Sequence, residues 1–223
     1  MAATRGQRIG IWIIAAFMAV GTIGSFAIIV LANDNASRDQ NRYNELYSQY
    51  QKDTESYQAK VSAQATELSK KYYDKFNAYS SKPAAFDAAS VTELQKNDLV
   101  VGDGADITAE SSFTAYYLGW NPSGKVFDGS IADGALKAPL NVAPGAVIKG
   151  WSDGVVGMKV GGIRELSIPS SLAYGETGSG ENIPPNTPIK FVVMIIPTPE
   201  AIEQPIPSEE LQKLYTRLYG NAS

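Results

Sequence analysis

The residues available for chemistry in this sequence are restricted, because it contains neither histidine nor cysteine. A Ser-His-Asp triad, an imidazole general base and a metal site built on histidine or thiolate ligands are therefore excluded. The remaining candidates are carboxylates, hydroxyls, backbone amides and apolar pockets. These groups suit a reaction that moves no proton and breaks no covalent bond, and we expect neither a metal nor a cofactor.

Four short segments combine aromatic, polar and glycine residues in a fixed order along the chain. They are Gly124–Asp128 (GKVFD), Val147–Trp151 (VIKGW), Ala173–Gly175 (AYG) and Ile183–Pro185 (IPP). In this order, the segments resemble the FKBP family of peptidyl-prolyl cis-trans isomerases. The resemblance extends from about residue 99 to residue 196, and it implies that proline-containing polypeptides are the substrates.

The resemblance also implies a cleft that holds a proline ring between a sheet and a short helix. Trp151 would form the floor of this cleft, while the Ile148 N–H and the Tyr174 hydroxyl would bind substrate carbonyls. Asp128 would organise the cleft by accepting a hydrogen bond, with Tyr117 as the candidate donor. The catalytic residues implied in this way are Tyr117, Phe127, Asp128, Val147, Ile148, Trp151, Tyr174 and Phe191, and the substrate-binding residues are Leu140 and Ile183.

Taken singly, several of these residues favour a simpler interpretation. Phe127, Val147 and Phe191 would be ordinary core residues in any domain, and so would Trp151. The complete set, in its order along the chain, supports the cleft more strongly than any single residue does. Asp128 directly follows Phe127, and Tyr174 lies between Ala173 and Gly175, as in the family motif.

The chain departs from the family pattern at the rim of the expected cleft. Leu140 occupies a position where the family usually has an aromatic residue, and residues 141–146 are shorter than the usual segment. Ser179 and Asn182 replace bulkier residues, and no arginine follows the motif aspartate before Lys137. These departures predict an altered substrate preference and weak macrolide binding.

The N-terminal segment predicts a membrane anchor. Residues 9–32 carry no charge, and as a helix they would reach about 36 Å, enough for a hydrocarbon core of about 30 Å. Arg5 and Arg8 precede the segment and Asp34 follows it, which places residues 1–8 in the cytoplasm and the remaining chain outside the cytoplasmic membrane. A cleaved signal peptide is the alternative, although its apolar core is usually only about 7–15 residues long.

Residues 33–82 are polar, lack glycine and carry a narrow apolar stripe at helical spacing, which predicts a long helical stalk. Thr54 and Gln64 interrupt the stripe and disfavour a strong coiled coil. The stripe could pair two chains in a homodimer or pack on the chain's own tail, but we favour a simple spacer. The stripe consists of Tyr43, Tyr47, Tyr50, Tyr57, Val61, Leu68, Tyr72, Phe76 and Tyr79.

Residues 83–95 form a connector, and period-two patterns follow it within an expected isomerase domain of residues 96–197. Strands are predicted near residues 113–119, 125–128, 163–168 and 190–196, and Trp151, Val155 and Met158 share one face of a short helix. The pattern predicts an α+β domain, and the resemblance specifies a curved antiparallel sheet wrapped around that helix.

Residues 198–223 contain a proline-rich linker and an amphipathic helix, for which we favour docking on the stalk over binding to a partner protein.

Two functions follow from these observations. The first is a membrane-tethered prolyl isomerase that assists the folding of exported or surface proteins. The second is a non-catalytic chaperone or interaction module of a surface complex, which the altered rim keeps open. The net charge of −4 argues against nucleic-acid binding.

Overall fold

The computed structural model of this chain describes residues 34–220. The anchor predicted for residues 9–32 lies outside them, and no helix within residues 34–220 is long and apolar enough to cross a membrane. The helices are α1 (Asp34–Asn77), α2 (Lys149–Val155) and α3 (Glu209–Tyr219). The strands are β1 (Gln95–Val100), β2 (Phe113–Trp120), β3 (Val126–Gly129), β4 (Ile131–Ala132), β5 (Ala135–Leu136), β6 (Leu140–Val142), β7 (Ile163–Ile168) and β8 (Ile189–Ile196).

The described residues divide into two compact units. One unit contains residues 34–55 and 204–220, and the other is Ser56–Glu203. Helix α1 therefore contributes its first half to one unit and its second half to the other.

The smaller unit is a pair of helices held by an apolar seam and ion pairs. Leu211 and Leu214 of α3 are buried in one cluster with Tyr43 of α1. The Arg42 guanidinium donates two hydrogen bonds to the Glu210 carboxylate, at 2.9 and 3.0 Å. The expected docking of the C-terminal helix on the tyrosine face of the stalk is therefore confirmed.

The larger unit is built on a six-stranded antiparallel sheet. Its order is β1-β7-β8-β2-β3, and β6 pairs with the beginning of β2. Helix α2 packs closely on β7, because a Cβ atom added at Gly150 would lie 2.2 Å from Ile168 Cγ2 and one at Gly154 would lie 2.7 Å from Leu166 Cδ1. The expected α+β class with an antiparallel sheet and a short helix is confirmed.

Strand β2 supplies both faces of the sheet with large side chains. Phe113 and Tyr117 belong to the cluster on the α2 side, whereas Tyr116, Leu118 and Trp120 belong to the cluster on the opposite side. The period-two alternation predicted this arrangement, and it creates two apolar faces that must both be covered.

The second half of α1 covers the outer face of the sheet. Phe76 is only 1% exposed, and Leu68, Tyr72 and Tyr73 pack against the same cluster, as does Tyr79 in the turn after α1. Our expectation of a simple spacer is therefore wrong for this half of the helix. The bulky outer face of β2 explains the difference, since it would otherwise expose apolar side chains to water.

The sequence patterns missed several short or polar elements. Strand β1 has a polar, mostly exposed sequence, so it shows no alternation of apolar residues. The hairpin of β4 and β5 is too short to show a period. Helix α2 ends at Val155, so Met158 lies beyond the helix on which we expected it, although its side chain is buried. Gly157 has a φ of 82°, a value that glycine tolerates and that turns the chain after this helix.

An ion pair ties β1 to the end of α2. Arg164 of β7 is buried, and its guanidinium donates to both carboxylate oxygens of Asp98 at 2.6 and 3.0 Å. It also donates to the carbonyls of Gly154 and Val156, at 2.8 and 3.2 Å. The hydrogen bonds from Arg164 to Asp98 lower the pKa of the Asp98 carboxyl group. Arg164 thus fixes the helix that carries Trp151 to the sheet.

Replacing Tyr116 by phenylalanine is expected to raise the free energy of unfolding by about 1 kcal/mol. The Tyr116 hydroxyl is buried under α1 without a hydrogen-bond partner among the described residues, and burial raises its pKa to about 12. Removing the hydroxyl removes the cost of keeping it from water. Chemical denaturation measures the effect, with Tyr73→Phe as a partly exposed control that should change stability by less than about 0.5 kcal/mol. A destabilised Tyr116→Phe would show that the hydroxyl is hydrogen-bonded.

Candidate active site

Trp151 occupies the first turn of α2 and is 3% exposed. Three aromatic rings of the sheet surround its indole. The Tyr117 ring centroid lies 5.6 Å away and nearly perpendicular at 87°, and the Phe191 centroid lies 5.8 Å away at 77°. Phe113 lies 6.1 Å away and more nearly parallel, at 30°. The predicted floor residue is therefore enclosed by aromatic rings on the sheet side.

A second pair of rings extends this surface towards β3. Phe127 meets Phe191 edge-to-face, with centroids 5.5 Å apart and planes at 87°. The pair depends on Gly119 of β2, because a Cβ atom there would lie 2.4 Å from Phe191 Cε1 and 2.8 Å from Phe127 Cζ. Gly119 was not among the predicted site residues. A glycine in the middle of a bulky strand is the signal that could have identified it.

The remaining apolar candidates surround the same cluster. Ile183 is buried in it, and the other four pack against it with part of their surface exposed to solvent. Partial exposure around a buried indole gives an aromatic and aliphatic surface that a ligand can reach. These four residues are Leu140, Val147, Ile148 and Tyr174.

Asp128 is the one charged residue among the predicted site residues, and it acts as a hydrogen-bond acceptor. Its Oδ2 accepts from the Tyr117 hydroxyl at 2.7 Å, and its Oδ1 accepts from the Gly129 N–H at 2.8 Å. The expected hydrogen bond from Tyr117 is therefore present. It links Asp128, which is itself exposed, to a ring that contacts the buried indole.

Ser130 is a further residue of the site that sequence reasoning missed. It is buried, and its Oγ accepts a hydrogen bond from the Tyr117 N–H at 2.9 Å. The Ser130 N–H donates in turn to the Tyr117 carbonyl at 2.8 Å. A serine after a glycine is typical of any turn, so the sequence carried no signal for this role.

The long loop that carries Tyr174 and Ile183 is tied to the turn between β2 and β3. The Asn121 side chain donates from Nδ2 to the Asn182 carbonyl at 2.9 Å. Its Oδ1 accepts from the backbone N–H of Ser123, at 3.1 Å. Asn121 is buried, so these contacts hold the loop beside the strand that begins just before Phe127.

The buried indole N–H of Trp151 and the backbone N–H of Ile148, which precedes α2, are among the N–H groups of this site that make no hydrogen bond to any residue in the range 34–220. A buried or partly buried donor without an acceptor is costly, and such groups are often those that a ligand satisfies. The Ile148 N–H is the donor that we expected to meet a substrate carbonyl.

The structure thus brings together every predicted site residue. The apolar and aromatic ones share one cluster, and Asp128 joins it through Tyr117.

The family model described as FKBP-type peptidyl-prolyl cis-trans isomerase matches residues 104–196. The FK506-binding protein of Neisseria meningitidis serogroup A is 39% identical over 99 residues, which cover 44% of this chain and 90% of that protein.

The chain belongs to the FKBP family. The probable FK506-binding protein of Corynebacterium glutamicum is 37% identical over 106 residues, covering 47% of this chain and 86% of that protein. FK506-binding protein 4 of Dictyostelium discoideum is 39% identical over 117 residues, which make up only 31% of that longer protein. The crystal structure of AtFKBP13 aligns with a TM-score of 0.43 and 36% identity, covering 48% of this chain and 93% of that one.

Membership of the FKBP family confirms the resemblance that the four motifs indicated. The larger unit contains an FKBP-type peptidyl-prolyl isomerase domain. Helices α1 and α3 lie outside the residues that the family model matches.

Proposed function

We propose that this chain is a membrane-tethered peptidyl-prolyl cis-trans isomerase that assists the folding of exported or surface proteins. One observation carries the isomerase proposal: the buried Trp151 indole lies among the Tyr117, Phe191 and Phe113 rings, beside a partly exposed apolar rim. The uncharged segment 9–32, with Arg5 and Arg8 before it, supports the tether.

The proposed mechanism uses the aromatic environment and not a reactive side chain. An X–Pro amide owes its rotational barrier of about 18–20 kcal/mol to resonance between the carbonyl and the C–N bond. Resonance separates charge in the planar amide, and water stabilises that charge. The twisted transition state loses the resonance and is less polar, so a water-poor aromatic surface favours it over the planar ground state. A preference of about 7 kcal/mol would accelerate rotation about 10⁵-fold.

Each predicted residue has a role in this proposal. Trp151 supports the proline ring, and Phe127, Phe191 and Ile183 enclose it. The Ile148 N–H and the Tyr174 hydroxyl bind carbonyls that flank the proline, so only the imide bond rotates. The Asp128–Tyr117 hydrogen bond orients an aromatic wall, while Val147 and Leu140 form the outer rim.

The tether would hold the isomerase domain close to newly exported chains. X–Pro isomerisation takes tens to hundreds of seconds without catalysis, which is slow enough to limit the folding of a newly exported chain. With residues 1–8 in the cytoplasm, the isomerase domain lies outside the cytoplasmic membrane, where such chains emerge. A homodimer through the stalk is not part of this proposal, because all residues of the apolar stripe except Tyr57 and Val61 already pack in clusters within one chain.

We further propose that FK506-type macrolides bind weakly. Leu140 offers a smaller surface than an aromatic ring, and Ser179 and Asn182 add little apolar area at the rim. Loss of a ring contact of this kind costs about 0.5–1.5 kcal/mol, and the lost burial of apolar area costs about 1.5–3 kcal/mol more, so together they weaken binding about 30- to 2,000-fold. Titration calorimetry with FK506 is expected to give micromolar or weaker binding, and nanomolar binding would contradict the proposal.

Proline-limited refolding of a model substrate by the full-length chain in detergent micelles tests the isomerase. We expect the slow phase to accelerate in proportion to enzyme concentration. A chain that suppresses aggregation without accelerating this phase would be the non-catalytic chaperone that the altered rim allows. Protease added to intact spheroplasts tests the orientation, since it should degrade the isomerase domain. A fully protected domain would contradict the proposed location.

A further inference from the structure

Helix α1 contacts the hairpin of β4 and β5, a segment of the isomerase domain that borders the site. Ser69 lies on the buried face of α1, and its Oγ accepts a hydrogen bond from the Leu136 N–H at 2.8 Å. Leu136 is itself buried, in the cluster that contains Phe76 of the same helix. The contact therefore joins the helix to the hairpin of β4 and β5 where water has little access.

This hairpin connects two predicted site residues. Asp128 lies in β3 directly before it, and Leu140 begins β6 directly after it. Each strand of the hairpin has only two residues, and Asp133 and Gly134 at its turn both have positive φ, as a tight hairpin turn requires. Two-stranded hairpins are marginally stable by themselves, so this one depends on what it packs against.

The base of the hairpin is hydrogen-bonded to the wall of the site. The Lys137 N–H donates to the Ser130 carbonyl at 2.8 Å, and the Lys137 ammonium group donates to the Gly129 carbonyl at 3.0 Å. Ser130 exchanges hydrogen bonds with the backbone of Tyr117. A short series of contacts therefore runs from Ser69 through the hairpin to the ring that meets Trp151.

We infer that Ser69 is a positioning residue, through which the stalk helix fixes the rim of the isomerase site. The inference rests on the proposed isomerase function. Serine is a poorer helix former than alanine, and in a helix interior its hydroxyl competes with the backbone, so its presence on the buried face needs a compensating contact. The Leu136 N–H supplies that contact, and it would be left buried without an acceptor if Ser69 were changed.

The test compares Ser69→Ala with Ser62→Ala in the full-length chain. Both changes remove a serine hydroxyl from α1, but Ser62 is exposed and its hydroxyl makes no hydrogen bond within residues 34–220. Alanine favours the helix, so neither variant should unfold it. Hydrogen exchange at the Leu136 amide and the kinetic constants for an X–Pro peptide are measured for both variants and the wild type.

For Ser69→Ala we expect exchange at Leu136 to accelerate about tenfold, because the lost hydrogen bond held a buried amide. We expect KM to rise about three- to tenfold with little change in kcat, since a loosened rim weakens binding of the ground state and the transition state alike. Ser62→Ala should match the wild type in both measurements.

Two results would overturn the inference alone. Unchanged exchange at Leu136 would show that Ser69 does not hold the hairpin, and faster exchange with unchanged kinetic constants would reduce Ser69 to a structural role. A wild-type chain without isomerase activity would instead overturn the proposed function, and this inference with it. The two failures are therefore distinguishable in one experiment.

Discussion

Replacing Trp151 by alanine is expected to lower kcat/KM at least about 100-fold, the equivalent of about 2.7 kcal/mol of transition-state stabilisation. It is also expected to lower the free energy of unfolding by about 3–5 kcal/mol, because a large buried side chain is removed. The indole is the surface that three rings converge on, so its loss admits water beneath the proline ring. Proline-peptide kinetics and chemical denaturation measure the two effects.

Val155→Ala provides the matched control for this prediction. Val155 lies one turn later in the same helix, is equally buried and belongs to the same cluster, but it makes none of the ring contacts. It should destabilise the protein by about 2 kcal/mol and leave kcat/KM within about threefold of the wild type. If the two variants lost activity equally, Trp151 would act only through stability.

Replacing Asp128 by leucine is expected to lower kcat/KM about 10- to 100-fold, whereas asparagine should keep it within about threefold. Leucine removes the acceptor for both the Tyr117 hydroxyl and the Gly129 N–H. Asparagine retains one carbonyl oxygen, which can still accept from Tyr117 at the position of Oδ2. The same kinetic assay with both variants measures the difference.

The comparison separates a hydrogen bond from a charge. An asparagine variant as impaired as the leucine variant would show that the negative charge of Asp128 is needed. That result would contradict the role proposed here, in which Asp128 only orients the Tyr117 ring. Because Asp128 is exposed, neither substitution should unfold the domain, and circular dichroism checks this.

The sequence predicted best what depends on local pattern or on an ordered motif. The alternation along β2 predicted a strand with two bulky faces, and both faces are buried. The motif positions predicted that Trp151, Tyr117 and Phe191 would be in contact, and their ring centroids lie within 6.3 Å of one another. The first prediction succeeds because side-chain direction follows directly from position in a strand, whereas the second rests on the resemblance of the motifs to the FKBP family.

Contacts between distant parts of the chain could not be predicted in the same way. The hydrogen bonds of Ser130 with Tyr117, Asn121 with Asn182 and Ser69 with Leu136 join polar residues that are common in any turn or helix. Their partners are fixed only when the sheet and loops have assembled. Gly119 differs, since a glycine among bulky strand residues is itself a local signal.

Helix α1 shows where a periodic pattern stops being informative. The stripe from Tyr43 to Tyr79 predicted a helix with one apolar face, and α1 has that face. The pattern could not show what covers it. Leu211 and Leu214 cover the tyrosines near the start of α1, whereas the sheet covers Phe76. Either apolar surface can cover an apolar stripe on a helix, so the stripe does not specify its partner.

The solvent isotope effect on catalysed isomerisation is the most direct test of a mechanism in which a dry aromatic surface lowers the barrier to bond rotation. Cis–trans exchange of an X–Pro peptide by the full-length chain is measured by NMR in H₂O and in D₂O. Rotation about the imide bond transfers no proton, so the ratio of kcat/KM in the two solvents should be about 1. A ratio of about 2 or more would show that a proton moves in the rate-limiting step, and it would contradict this mechanism.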